Sequence, residues 1–280
     1  MTDATAIPPR LMRLRYAGRC IRCRAALAAG SQAMYDGSTK TVACVSCPTA
    51  SEVTLTEIEP VDSGVAGASA QREGDRRTRK REARIREAHP KIGGLILALS
   101  DDPQSTMAWA SGAIGEAALG KRLDAAVRDD LRVLHDRRIP GSKANIDHIV
   151  VSPSGVFVID AKRYVEKRPS LKIEGGLFRP RTETLMVGSR DQTKLVVGVQ
   201  GQVERVEMAL AAARIELVPV RGMLCFIDGD WPLLGGDFEI DGVDVVWPKK
   251  AVQLVARPGD LDAQAVDRIL RVLATTFVSA

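Results

Sequence analysis

Asp147, Asp160 and Lys162 fall within one stretch, Asn145 to Lys162, that reads NIDHIVVSPSGVFVIDAK. Two apolar runs, Ile146 to Val151 and Val156 to Ile159, flank Ser152-Pro153-Ser154-Gly155. Proline at the second and glycine at the fourth position suit a type I turn, and runs rich in Val, Ile and Phe predict a β-hairpin. If the turn has two central residues, Val151 faces Val156, Ile149 faces Val158 and Asp147 faces Asp160. Alternation along the strands then projects Asp147, Asp160 and Lys162 from one face. Opposed residues have Cβ atoms about 4.5–5.5 Å apart. Two carboxylates that close repel unless a cation or a proton lies between them. An oxygen-lined pair with a neighbouring backbone carbonyl suits Mg²⁺ or Mn²⁺. A three-residue loop with a bulge at Gly155 would shift the register by one and separate the aspartates. Both turns are open to the sequence.

Two other groups carry chemistry. Cys20-x-x-Cys23 and Cys44-x-x-Cys47 have twenty residues between the pairs, the spacing of a four-cysteine zinc ribbon. Each pair forms a tight turn whose thiolates point at one centre. So small a segment has little core, and bound Zn²⁺ would supply most of its folding free energy. Redox pairs or idle thiols are the rival readings. The helix predicted from Ser105 to about Arg128 has an apolar stripe at Trp109, Ala113, Leu119, Leu123 and Val127. Glu116 shares that face. A buried carboxylate there requires a cation or a donor, unless it reaches solvent from the stripe's edge.

The pattern Asp147…Asp160-Ala161-Lys162 resembles the core of the PD-(D/E)xK nucleases. The wider series Gly112-Ala-Ile-Gly-Glu116, Val133-Leu-His-Asp136, Ile139-Pro140, Ile146-Asp147-His148 and Gly155 to Lys162 resembles the nuclease-related domain (NERD) family, with its blocks in the family's order. The similarity covers roughly Gly112 to Leu210. Asp160 stands where many members carry glutamate, which keeps the chemistry.

This resemblance implies an α/β chain with a restriction-endonuclease-like αβββαβ core and metal-dependent phosphodiester hydrolysis. Asp147, Asp160 and the Ala161 carbonyl would hold Mg²⁺ or Mn²⁺, with Glu116 completing the shell. Lys162 would orient or help deprotonate the attacking water and stabilise the phosphate in the transition state. It also implies a glutamine reaching the site from the helix after the D-x-K strand. That helix is predicted over Thr193 to Ala213 with a stripe Leu195, Val199, Gln202, Val206, Ala209, so the role falls to Gln202. Gln200 looks solvent-facing. Parity puts His148 opposite to Asp147, near Ile159, as a core or supporting histidine; His135 and Asp136 have no evident partner.

The strands complete the expected order: Leu131 to Ile139, the hairpin, an extension over Leu171 to Val187, then Val218 to Ile227 and Val243 to Trp247, with a closing helix over Asp260 to Phe277. The run VPVRGMLCFI reads as a strand buried on both faces, with Cys225 in the core. The expected organisation is a zinc ribbon over 1–60, a linker with a basic helical stretch over 61–104, and the nuclease-like domain over 105–280.

The net charge of +5 and pI near 9.0 hint at a polyanionic partner. Arg72 to Lys91 holds nine Lys/Arg against four Asp/Glu, 9 − 4 = +5, the excess of the entire chain. It reads as a helix ended by His89-Pro90, lying along phosphates or simply solvated. Arg138, Lys143 and Arg163 at the hairpin ends are candidate phosphate contacts. No run reaches a membrane span and the N-terminus lacks a secretion signal, so the expected compartment is cytoplasmic. Three readings follow: a nuclease on DNA before RNA; a nucleic-acid-binding module that does not cut; a scaffold whose ribbon binds another protein. Oligomeric state is open.

Overall fold

Short β-rich segments and turn residues set the first part of the chain. The computed structural model describes residues 10–21, 25–37, 39–45, 60–92, 94, 95, 97, 104–176, 179–232 and 236–280. Contacts divide the chain into two units, Met1–Pro60 and Val61–Ala280. In the first, β1 (Arg10–Arg13), β4 (Gln32–Asp36) and β5 (Thr41–Cys44) form an antiparallel sheet in the order β1-β4-β5, while β2 (Gly18–Arg19) pairs with β3 (Ala26–Leu27). Leu14, Cys20, Leu27, Ala33 and Cys44 make a small core. The Cys44 amide donates to Cys20 Sγ at 3.3 Å. Cys23, Cys47 and the run Val53 to Ile58 lie outside the described residues.

The second unit begins with α1 (Ala68–Ala88) and α2 (Gln104–Asp124). The basic stretch is a helix, as its composition allows, and it ends at His89, one residue before Pro90. A linker is not what residues 68–88 form: Ala70 and Gly74 are buried on α1, and this small-residue stripe packs on α2. At Gly67, which precedes α1 with φ 75°, a Cβ would lie 2.8 Å from the Ala113 carbonyl oxygen, so the close approach requires glycine.

The rest follows as β6 (Arg132–Arg138), β7 (Asn145–Ser152), β8 (Gly155–Arg163), β9 (Pro169–Gly176), β10 (Arg179–Val187), β11 (Arg190–Asp191), α3 (Thr193–Ala212), β12 (Val220–Ile227), β13 (Phe238–Ile240), β14 (Val243–Val246), α4 (Pro248–Val255) and α5 (Ala263–Thr276). One six-stranded mixed sheet has the order β13-β14-β12-β8-β7-β6. β6, β7 and β8 are an antiparallel meander; β12 runs parallel to both β8 and β14. β8 and β12 occupy its middle, and their continuous Val, Ile and Phe runs suit strands covered on both faces. Leu119 and Leu123 of α2 and Ala251, Leu254 and Val255 of α4 share one core with Val133, Val150, Phe157, Ile159 and Met223. Val206 and Leu210 of α3 share a second with Ile149, Val151, Val156, Val158 and α5, and Val196 and Val199 share a third with Leu185, Leu224 and Phe226.

The order α2-β6-β7-β8-α3-β12 is the αβββαβ series expected, interrupted by a separate sheet in the order β11-β10-β9. β13 and α4 were not anticipated. α4, eight residues long, is too short to impose a periodicity. Cys225 is fully buried, and burial pushes its thiol pKa up, as a core residue requires.

Candidate functional site

The turn chemistry of Pro153 and Ser154 decides the register. Ser152 pairs with Gly155, Val151 with Val156, Ile149 with Val158 and His148 with Ile159, so the turn has two central residues. The ladder stops there, although the same register would next set Asp147 against Asp160. β7 keeps company with β6 instead, through Ile146–Arg137 and Asn145–Arg138. The amide of Ala161 turns to the Asp147 side chain, donating to Oδ2 at 2.8 Å. The sheet therefore opens where its acidic residues sit.

Asp160 is buried and receives the Lys162 ammonium on Oδ1 at 2.6 Å, on the face shared by these alternate residues. Glu116 comes from α2. Just before it, a Cβ on Gly115 would stand 3.0 Å from Arg163 Cβ, so glycine lets the helix approach β8 at the D-x-K end. Glu116 and Lys162 line one open cleft of about 570 Å³, together with Trp109, Arg163 and Arg190.

Crowding of like charges is legible in the protonation equilibria. Burial, then the charges of Asp160 and Glu116, hold the Asp147 carboxyl well above the usual carboxylate range, against the pull of Lys162 and the Ala161 amide. Glu116 is pushed up to about 7 by burial and next by Asp136, with Asp160 adding and Lys162 opposing. Burial pulls Lys162 down, yet Asp160, Asp147 and Glu116 together keep its pKa above that of an ordinary lysine. Lys162 is thus a charged donor at neutral pH and poorly suited to take a proton.

Among the described residues, no group of three or more His, Cys, Asp or Glu side chains stands ready to hold a metal ion. The donor chemistry nevertheless suits Mg²⁺ or Mn²⁺: three oxygen-bearing side chains act on one another beside a carbonyl, and one ammonium leaves two of them with raised pKa values. This crowding has a measurable consequence. Glu116 has a folded pKa of about 7 against an ordinary 4.5. Its charge therefore opposes folding fully above about pH 7, and the opposition fades on acidification until it is gone near pH 4.5. In metal-free buffer, Glu116→Gln is expected to melt a few degrees above wild type at pH 8, with the gap closing as pH falls through that window. A pH-independent gap in thermal melts would refute the crowding.

Other predicted residues are placed as follows. Gln202 lies on the inner face of α3 with Val199 and Val206, and its Oε1 is buried without a hydrogen-bond partner. Gln200 is exposed and donates to the Asp241 carbonyl at 2.8 Å. Arg163 is held by Asp228 at 2.7 Å and by Ser111 at 3.1 Å, at the cleft's edge. Arg138 and Lys143 lie apart from it, around a second cleft of about 700 Å³ that they share with Arg72 and Arg76. The expected stripe on α2 is buried at Leu119 and Leu123, but Trp109 is 39% exposed, and Val127, 44% exposed, lies beyond the helix, which ends at Asp124 and not near Arg128.

Asp136 and the histidines were missed as a working set. Asp136, with φ 49°, is buried and takes the Ser69 amide at 2.6 Å, the Ser69 hydroxyl at 2.6 Å and the Asn145 amide group at 3.0 Å. It caps α1 in place of a residue local to that helix, which has no side-chain cap of its own. His135 Nε2 lies 2.9 Å from Asp124 Oδ1, and its Nδ1 lies 2.8 Å from His148 Nδ1. If Nε2 donates to the carboxylate, His148 must donate across the pair, leaving its own Nε2 a bare acceptor. That atom is buried without a partner, and burial, followed by the neighbouring His135, depresses the His148 pKa well below the ordinary value.

Residues 111–227 match the family model of the nuclease-related domain, NERD. The match takes in Glu116, Asp147, Asp160, Lys162 and Gln202, and leaves out the first unit, α1 and Trp109. Searches of curated proteins and of solved structures return no match. No helix among the described residues is long and apolar enough to cross a membrane.

Proposed function

We propose, taking the nuclease-related domain over residues 111–227 as the premise, that the second unit hydrolyses phosphodiester bonds of nucleic acid, DNA before RNA. The observation that carries this reading is the opening between β7 and β8, where the carboxylates of Glu116, Asp147 and Asp160 act on one another beside one charged lysine. Asp147, Asp160, the Ala161 carbonyl and Glu116 would hold Mg²⁺ or Mn²⁺. Bound there, the ion polarises a phosphoryl oxygen, lowers the pKa of water and offsets developing charge.

The chain's own groups do the rest. Lys162, already charged, donates to a phosphate oxygen and stabilises the charge that grows in the transition state. Asp160 holds its ammonium at the face where the phosphate enters. The Ala161 amide fixes one Asp147 oxygen, leaving the other for a ligand. Gln202 offers a buried amide oxygen that lacks a donor, a place for an ammonium or a water. The test is cleavage of plasmid and single-stranded DNA by the full chain with Mg²⁺ or Mn²⁺. Cutting that requires the metal supports the reading; DNA binding without any cutting would replace it with a non-catalytic binding module.

For the first unit we propose a structural Zn²⁺ on Cys20, Cys23, Cys44 and Cys47. Support comes from the spacing and from the Cys44 amide donating to Cys20 Sγ, an acceptor role that suits a thiolate. Elemental analysis should find one zinc per chain in wild type and none in Cys20→Ser. Zinc-free wild type purified without chelators would sink the assignment.

A further inference from the structure

The exposed indole at the cleft suggests what form of nucleic acid enters it. Trp109 borders the cleft that holds Glu116 and Lys162, and 39% of it is exposed. The Arg77 guanidinium lies over its ring, 5.3 Å from the centroid, and a Cβ added at Gly74 of α1 would meet Trp109 Cβ at 3.8 Å. Arg77 thus braces the ring from α1, and the indole borders the cleft that also holds Glu116 and Lys162. An aromatic ring held beside basic side chains is a platform on which a base stacks, and only an unpaired base offers it a free face.

A phosphate path adjoins it. Ala70 lines the cleft with Trp109, while its neighbours Ser69 and Arg72 line the second cleft with Arg138 and Lys143. Arg76 also borders that second cleft, but Glu73 binds both it and Arg77, at 2.7 and 2.6 Å, so the patch carries four positive charges against one negative. Both clefts border the first turn of α1. A strand can place a base on Trp109 and its flanking phosphates along Arg138 and Lys143, beside Arg72, whose guanidinium already donates to the Ala280 oxygen at 2.5 Å.

We propose that the second unit takes single-stranded nucleic acid, with Trp109 stacking one base beside the reacting phosphodiester and Arg138 and Lys143 holding phosphates on one side. This deepens the nuclease reading and rests on its placing nucleic acid in this cleft. The platform is built by α1 and by the part of α2 that precedes the family match.

The experiment measures fluorescence anisotropy of a labelled 15-nucleotide oligo-dT strand and of a blunt 15-base-pair duplex. It uses the full chain carrying Asp160→Asn, so that cutting does not intrude. The strand is expected to bind about tenfold or more tightly than the duplex. Trp109→Ala should weaken strand binding by about tenfold, while Trp109→Phe keeps most of it. Abasic sites in the strand should weaken binding to the Trp109 protein and leave Trp109→Ala unaffected, which a merely structural tryptophan would not produce. Arg138→Ala and Lys143→Ala should each lower affinity and flatten the salt dependence by roughly one phosphate contact, a slope of about 0.7. Equal or tighter binding of duplex, or indifference to abasic sites, overturns the proposal. If the wild type cuts DNA while binding ignores the base, this proposal falls and the nuclease reading stands; base-dependent binding without cutting has the opposite meaning.

Discussion

Asp160→Asn is expected to lower metal-dependent cleavage by about a thousandfold or more while leaving the fold intact. Removing a single preorganised transition-state donor typically costs about 10²–10³ in rate, and Asp160 has two tasks. Its carboxylate is one of the proposed metal ligands, and it is the group that holds the Lys162 ammonium at 2.6 Å. The amide keeps the shape but carries no charge, so the ion loses a ligand and the lysine its anchor together. Lys162→Ala should give a loss of similar order, but from a different cause: Asp160 and Asp147 would lose their counter-charge, and metal affinity would rise or hold as turnover falls. Cleavage rates with Mg²⁺ titrated from micromolar to millimolar separate the two. Rescue of Asp160→Asn, but not of Lys162→Ala, by a higher metal concentration is the expected pattern. Full activity in both variants would remove this site from consideration.

Asp136→Ala is expected to destabilise the second unit by about 3 kcal/mol. The carboxylate takes three hydrogen bonds, two from Ser69 and one from Asn145. Bonds to a charged acceptor contribute about 1.5–3 kcal/mol each, less what is regained from water. Alanine is also worse than aspartate at φ 49°. Relief of repulsion against Glu116 offsets part of the loss. For a unit of this size the change corresponds to a drop of roughly 6–12 °C in Tm. Asp136→Asn should recover part of it. The same substitution should lower the Glu116 pKa from about 7, since Asp136 is its second cause. A Tm within two degrees of wild type would show that α1 docks without this cap.

How far the sequence could foresee these features depends on their range along the chain. The hairpin was legible because its turn residues and apolar runs are local; of the two registers the sequence left open, Pro153-Ser154 takes the one with two central residues, and the pairs follow as far as His148–Ile159. Glu116 stood out because a charge broke a 3.6-residue stripe. The core strands β8 and β12 announced themselves as long apolar runs. What was hidden depends on contacts between distant segments. Asp136 caps a helix through a residue 67 positions earlier, and no local pattern marks a cap supplied from a strand. The His135–His148 pair requires the β6–β7 register, which no turn signal fixes. The charged face of α1 disguised its buried one, because alanine and glycine carry too little hydropathy to reveal a packing stripe. Trp109 was placed on the buried stripe by periodicity alone, which cannot say where a helix face borders an open cleft.

The outer edge of β6 shows why the second unit extends so far on both sides of the family match. A bare edge strand is a template for pairing with other chains. Here the Ser63 carbonyl takes the His135 amide at 2.7 Å, the Val278 carbonyl takes the Arg138 amide at 2.9 Å, and Ala280 donates to the Asp136 carbonyl at 2.9 Å. Buried Arg137 ties both segments down, through the carbonyls of Asp62 and Phe277. Residues from the two ends of the unit thus act as a hem along one selvedge, guarding it against self-association. A fragment trimmed to 111–227 would keep the reacting groups and lose the hem, whereas Val61–Ala280 carries the site and its protection together.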